Sequence, residues 1–170
     1  MLVREIVLEI MGPGVILYSP PAVAHIREGA DYLREHFWKP EDVAQHVMAC
    51  QLTAFATGSP GSFRLRFRDG PPDDRDVLAA DFKLRLGFQV RAGTFCVRDL
   101  YDLAHWAAEC PTEQQASVSD GWYRLTVLSS LPRSGLIGDN QVIEVNMEPT
   151  HVMPKLRWNG VPQLCTSARA

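Results

Sequence analysis

Apolar and polar residues alternate through most of the second half of the chain, and recur at helical steps in parts of the first. Residues 2–11 are aliphatic and β-branched and read as a strand. Gly12-Pro13-Gly14 marks a turn, Val15 to Tyr18 a second short strand, and Pro20-Pro21 its end. Val23, Ile26, Ala30, Leu33 and Phe37 then step by three and four, with Arg27, Glu28, Arg34 and Glu35 on the other faces. That spacing predicts one amphipathic helix over 23–37, weakened at Gly29. Pro40-Glu41-Asp42 suits a new first helical turn, because proline lacks only a hydrogen-bond donor that is free there and acids favour the positive end of the helix dipole. This helix is expected to run to about Met48.

From residue 50 the period is two. Leu52–Thr57 and Ser62–Arg68 read as strands around Gly58-Ser59-Pro60-Gly61. In the second, Phe63, Leu65 and Phe67 face one way and Arg64, Arg66 and Arg68 the other. Residues 69–76 read as a polar loop. Phe82, Leu84, Leu86, Phe88 and Val90 alternate with polar residues or glycine, and Ala92-Gly93 turns the chain into Thr94–Arg98. Leu103, Trp106, Ala107 and Cys110 predict a helix over 100–110. Residues 115–119 and 122–131 flank Asp120-Gly121, a hairpin signal. Gln141–Glu148 is the last strand, and the chain past Pro149 reads as irregular with fraying final residues.

About eight strands of alternating pattern, with no evident strand–helix–strand repeat, predict an α+β, mostly β protein: an antiparallel β-sandwich or bent sheet with N-terminal helices and one inserted helix. The 170 residues suit a single domain: a strand and helices over 1–49, the antiparallel core over 50–149 and a tail over 150–170. Hydrophobic residues make up 46%, enough for a core of this size without disulfides.

The formal net charge of −3 lacks the basic excess of proteins that live on nucleic acid, so no direct nucleic-acid partner is expected. Arg4, Glu5 and Glu9 interrupt the first apolar run, which argues against a signal peptide, and no run is long enough to span a bilayer. A cytoplasmic protein with no membrane partner is the expectation. Cys50, Cys96, Cys110 and Cys165 are widely spaced, without the close pairs of zinc or redox sites, and read as buried thiols.

Four groupings bear on chemistry. Asp102, His105 and Glu109 would share one face of the 100–110 helix and offer metal-ligand types, but that face is opposite the apolar one and reads as solvated. Five histidines could in principle assist a cysteine nucleophile, yet no cysteine carries a recognisable flanking signature. The outward Arg64, Arg66 and Arg68, with Lys83, Arg85 and Arg91, would repel if left side by side, so Glu144 and Glu148 are expected to interleave. Asp69, Asp73, Asp74 and Asp76 gather in one acidic loop that lacks a calcium-loop pattern.

The order of elements from Gln45 to Glu148 carries a resemblance. The strands Leu52–Thr57 and Phe63–Phe67, the Pro/Asp loop, Leu84–Val90, Thr94–Val97, Asp120–Thr126 and Val142–Val145 together resemble the competence protein J family, bacterial inhibitors of the DNA-entry nuclease. The chain departs from that pattern in its N-terminal helical region, the helix at 100–110 and the tail. The arrangement is also similar to that of immunity proteins that neutralise antibacterial toxins. The resemblance implies an inhibitor that occludes the active site of a toxin or nuclease, with a protein partner, no cofactor and no catalytic or metal-binding residues of its own. A basic nuclease cleft would be met by acids, so Asp73, Asp74 and Asp76 are the first candidates for contact, and Trp122 and Trp38 the aromatic anchors. The alternatives are a small ligand-binding β module or a metal-dependent hydrolase using Asp102, His105 and Glu109.

Overall fold

A computed structural model describes residues 1–166. The expected fraying of the final residues concerns 167–170 and lies outside the described residues. The protein is α+β and mostly β, and its described residues form nine strands in two sheets. The five-stranded sheet has the order β1 (Leu2–Ile10), β4 (Gly61–Asp69), β9 (Gln141–Thr150), β8 (Gly121–Ser129) and β5 (Phe82–Val90). The four-stranded sheet runs β3 (Leu52–Ala56), β2 (Gly14–Tyr18), β6 (Thr94–Asp99) and β7 (Gln115–Ser117).

The alternation read in the sequence builds the space between the sheets. Ile6, Leu8, Phe63, Leu65, Phe67, Leu125, Val127, Ile143 and Val145 are all buried on the larger sheet. Phe95 of β6 meets Phe67 and Phe88 with ring centroids 5.0 and 5.8 Å away, both edge-on. Each such fully buried side chain contributes roughly 1.5–3 kcal/mol relative to exposure, so these rings hold the layers together. All five residues of β2 and of β3 are buried, because helices and the tail cover the smaller sheet.

Five expectations need correction. The helix over 23–37 is two short helices, α1 (Pro20–Val23) and α2 (Tyr32–His36). Gly29 lies at φ +77°, a left-handed conformation that no α-helix accommodates, and its N–H donates to Trp106 O at 2.7 Å. Asp31 restarts the helix by accepting from the Arg34 N–H at 3.0 Å. α3 (Pro40–Met48) forms as the proline-led turn predicts.

The loop at 69–76 turns into α4 (Asp74–Ala79), with Asp73 as its cap. The segment 100–110 is helical only as a 3-10 helix over Leu100–His105. Its backbone is held instead by tertiary bonds, since Trp106 N–H donates to Ala30 O at 3.0 Å. Leu103, Trp106 and Cys110 are nevertheless buried, as their spacing implied.

Asp120-Gly121 does not close a hairpin. β7 pairs with β6 in one sheet and β8 with β5 in the other, so the dipeptide carries the chain from sheet to sheet. Ala92-Gly93 makes the second such corner, and the two are tied together: Gly93 N–H donates to Asp120 Oδ1 at 2.6 Å. Lastly, the larger sheet is not wholly antiparallel. β4 and β9 pair in parallel, Phe63 opposite Gln141 through Asp69 opposite Met147.

The tail is irregular yet docked. Ala56 N–H donates to Pro162 O at 2.7 Å and Leu164 N–H to Ala56 O at 2.9 Å, which continues the ladder along the open edge of β3. Gly87 in β5 is the one strand glycine that this docking demands, because a Cβ there would come within 2.5 Å of Cys50 Sγ and 3.0 Å of Pro154.

Candidate functional site

The outward face of the five-stranded sheet carries a lattice of charge. Along β4 the arginines stand every second residue, flanked by Glu5 of β1 and Glu144 of β9. Arg64 Nη1 reaches Glu5 Oε1 at 2.6 Å, and Arg66 Nε reaches Glu5 Oε2 at 2.9 Å. Arg66 Nη1 and Arg68 Nε then reach the two oxygens of Glu144 at 3.5 and 2.6 Å. The hydrogen bonds from Arg66 and Arg64 hold the Glu5 carboxyl below its usual range, and Glu144 raises Arg68. Glu144 interleaves as expected. Glu148 stands opposite Arg124 of β8 and forms no salt bridge among the described residues. Glu5 supplies the second carboxylate, which the sequence reading missed; its outward place on an alternating first strand is the signal that could have found it.

β4 and β5 run the same way, since β4 parallels β9 and each of the next two pairings is antiparallel. The chain between them must therefore cross the outward face of β9 and β8, and α4 lies on that crossing. Asp73 caps it by accepting from the Arg75 N–H at 2.8 Å, and Asp74 and Asp76 occupy its first turn, where the dipole favours acids. None of its side chains is buried, and Leu78 is 81% exposed. A groove along one flank runs past Asp76, Arg68, Leu128 and Glu144. The other flank opens on a cleft of about 860 Å³ where Asp74 and Val77 face Arg85, Arg124, Glu148, Met153 and Lys155.

Trp122 is half-buried on the same sheet face, opposite Thr150. It lines a second cleft of about 860 Å³ with Tyr123, Pro149, His151 and the exposed Met1 and Leu2. Thr150 lines both clefts, so they adjoin. Trp38 is 71% exposed and stands apart, over Asp31, Leu33, Arg34 and Ala104. The three α4 acids are thus together and Trp122 is one cleft away, while Trp38 shares no cleft with any of them. Sequence reasoning missed Arg85, Arg124 and Lys155 as one group, because only the docked tail brings Lys155 to the sheet.

The metal-hydrolase grouping does not assemble. Asp102 accepts from Arg98 Nε at 2.9 Å, Arg98 Nη1 donates to Ala107 O at 2.6 Å and to Tyr18 OH at 3.2 Å, and the guanidinium stacks 4.8 Å over Trp106. Burial opposes the Arg98 charge, but Tyr18 and Asp102 outweigh it and raise its pKa. Asp102 is therefore the counter-ion of a buried arginine, and Glu109 lies beyond the 3-10 helix that holds Asp102 and His105. No group of three potential ligands is arranged for a metal among the described residues.

All four cysteines are free and buried. Burial pushes the Cys50 and Cys165 thiols up to about 11, which leaves them protonated and unreactive at neutral pH. Cys110 and Cys96 interact, the Cys110 thiol hydrogen-bonding toward Cys96, which lowers Cys96 and raises Cys110. His46 is tied up between Tyr32 OH at 2.8 Å and Asp42 O at 2.7 Å.

Two solved structures match this architecture. One is ComJ from Bacillus subtilis, described as an inhibitor of the DNA-degrading activity of NucA: 11% identity, 88% of this chain and 98% of that chain covered, TM-score 0.54. The other is the product of crocagin biosynthetic gene J: 14% identity, 84% and 94% covered, TM-score 0.51. No family model and no curated protein sequence matches the chain. At these identities the likeness establishes a ComJ-like fold.

Proposed function

We propose that this protein is an inhibitor that binds a protein partner, a toxin or nuclease, and blocks its active site without chemistry of its own. The observation that carries the reading is the fold it shares with ComJ over nearly the whole of both chains, whose known role is to inhibit a nuclease. The acidic helix α4 suits the contact. None of its side chains is buried, and it carries Asp74 and Asp76 in its first turn beyond the Asp73 cap and holds out Leu78 as an apolar anchor. Acids steer toward a basic nuclease cleft and speed encounter. Trp122 provides a second anchor across Thr150. In an immunity setting the protein would act in the cytoplasm.

The test is to purify the product of the adjacent gene and assay its nuclease or killing activity with and without this protein. Neutralisation that is weakened by the combined Asp73→Lys, Asp74→Lys and Asp76→Lys changes is the expected result. Equal activity with and without the protein removes the reading.

A further inference from the structure

The arginines on the outward face fall into two groups. Arg64, Arg66 and Arg68 each hold a carboxylate of this chain. Arg85, Arg124 and Lys155, which converge on the cleft beside α4, hold none among the described residues. Beside them Val77, Met153 and Val152 offer apolar walls, the last 66% exposed. A second cleft, which shares Thr150 with this one, is lined by Trp122. From Thr126 to Trp122 along β8 this furrow extends roughly 13 Å, the reach of a short extended peptide.

We infer that the furrow formed by these two adjoining clefts receives an extended segment of a protein partner bearing a carboxylate beside apolar side chains. The carboxylate sits between Arg85, Arg124 and Lys155, where a guanidinium fork matches its two oxygens, and an apolar or aromatic neighbour packs on Trp122. A nucleic-acid strand fits less well. Asp74 and Glu148 stand inside the same cleft and would repel a continuous row of phosphates, whereas a peptide carries its acid at one place only. The inference rests on the partner-binding reading solely in taking the occupant to be a protein, and it names the chemistry of the segment that α4 alone leaves open.

The experiment selects a displayed library of random peptides of about ten residues on the full chain. A selected peptide is then labelled with fluorescein and titrated by anisotropy. Expected are sequences that place Asp or Glu next to Leu, Phe or Trp, with binding weakened ~10-fold or more by the combined Arg85→Glu and Arg124→Glu changes. Binding should also weaken with added salt. Circular dichroism melting monitors the fold. Should that variant melt early, Met153→Glu with Lys155→Glu on the tail carries the same comparison. Peptides without acidic residues, no selected peptide, or binding indifferent to both variants overturns the inference. So does tighter binding of a fluorescein-labelled oligothymidylate, which would give the furrow to nucleic acid. Partner neutralisation that survives the furrow variants but is lost with the α4 reversals removes this inference alone. Peptide binding in the furrow with no neutralised partner removes the inhibitor reading instead.

Discussion

On one half of the larger sheet's outward face, β1, β4 and β9 bring three arginines and two glutamates into a closed chain of ion pairs. On the other half, β8, β5 and the tail bring three cations to a cleft where none of them forms a salt bridge among the described residues, although Asp74 and Glu148 line the same cleft. Both halves are built from the same alternating pattern, so sequence shows the same row of basic residues in each. The difference is made by which strands become neighbours. Charges between strands of one chain hold register, and charges facing an open cleft are available to something else. Arg98 marks the internal extreme, a buried cation stacked on Trp106 with its hydrogen bonds taken up by Asp102, the Ala107 carbonyl and Tyr18 OH.

This gradient can be broken from its inner end. Arg98→Ala removes a buried guanidinium that packs over Trp106 and donates to the Ala107 carbonyl and Tyr18 OH, while Asp102, 39% exposed, keeps access to water, and the change is expected to cost about 2–3 kcal/mol by chemical denaturation. A loss no larger than that of an exposed residue would remove Arg98 from the core. Glu144→Lys reverses the charge between Arg66 and Arg68. These partners are a quarter to two-fifths exposed, so each bond is screened, and the change is expected to cost about 2 kcal/mol in low salt and less in high salt. A salt-independent loss would point to packing instead.

Acid titration addresses the same ladder. The guanidinium groups of Arg66 and Arg64 hold Glu5 below the ordinary glutamate value of 4.5, so folding is favoured above that pH. The favour is fully present at neutral pH and is lost as pH falls through the lowered folded value, so Glu5→Gln should lower stability at neutral pH and flatten the stability curve below pH 4.5, the two proteins converging in acid. The smallest effect closes the series. Arg85→Glu and Arg124→Glu are expected to shift stability by no more than about 0.5 kcal/mol, because no internal bond is lost. A large loss there would show that the open half is also structural.

The strands were legible because burial on one face imposes period two, and nearly every alternating run became a strand with the expected inward set. The failures share a cause. Asp120-Gly121 and Ala92-Gly93 bend the backbone the same way whether the flanking strands pair or separate, so the local signal could not reveal a change of sheet. The apolar steps from Val23 to Phe37 survive a broken helix because both pieces press on the same core while Gly29 turns between them. The β4–β9 pairing joins distant segments and has no local sign. Of the candidate site, the acids of α4 could be read directly from their run, as could the exposure of Trp38. The furrow could not, because its third cation arrives on a tail docked by contacts distant in sequence, the backbone bonds to Ala56 and the seating of Pro154 beside Gly87 and Cys50.

The ion-pair chain on β4 also resolves an ambiguity that burial leaves standing. Sliding β9 by two residues against β4 returns every apolar side chain to the core, so oil alone cannot tell the two alignments apart. Sliding Glu144 back toward Arg64 would crowd it and Glu5 onto the same two guanidinium groups and strand Arg68. The apolar beat chooses which side of the sheet is inside, and the alternating signs act as a vernier that counts the notches.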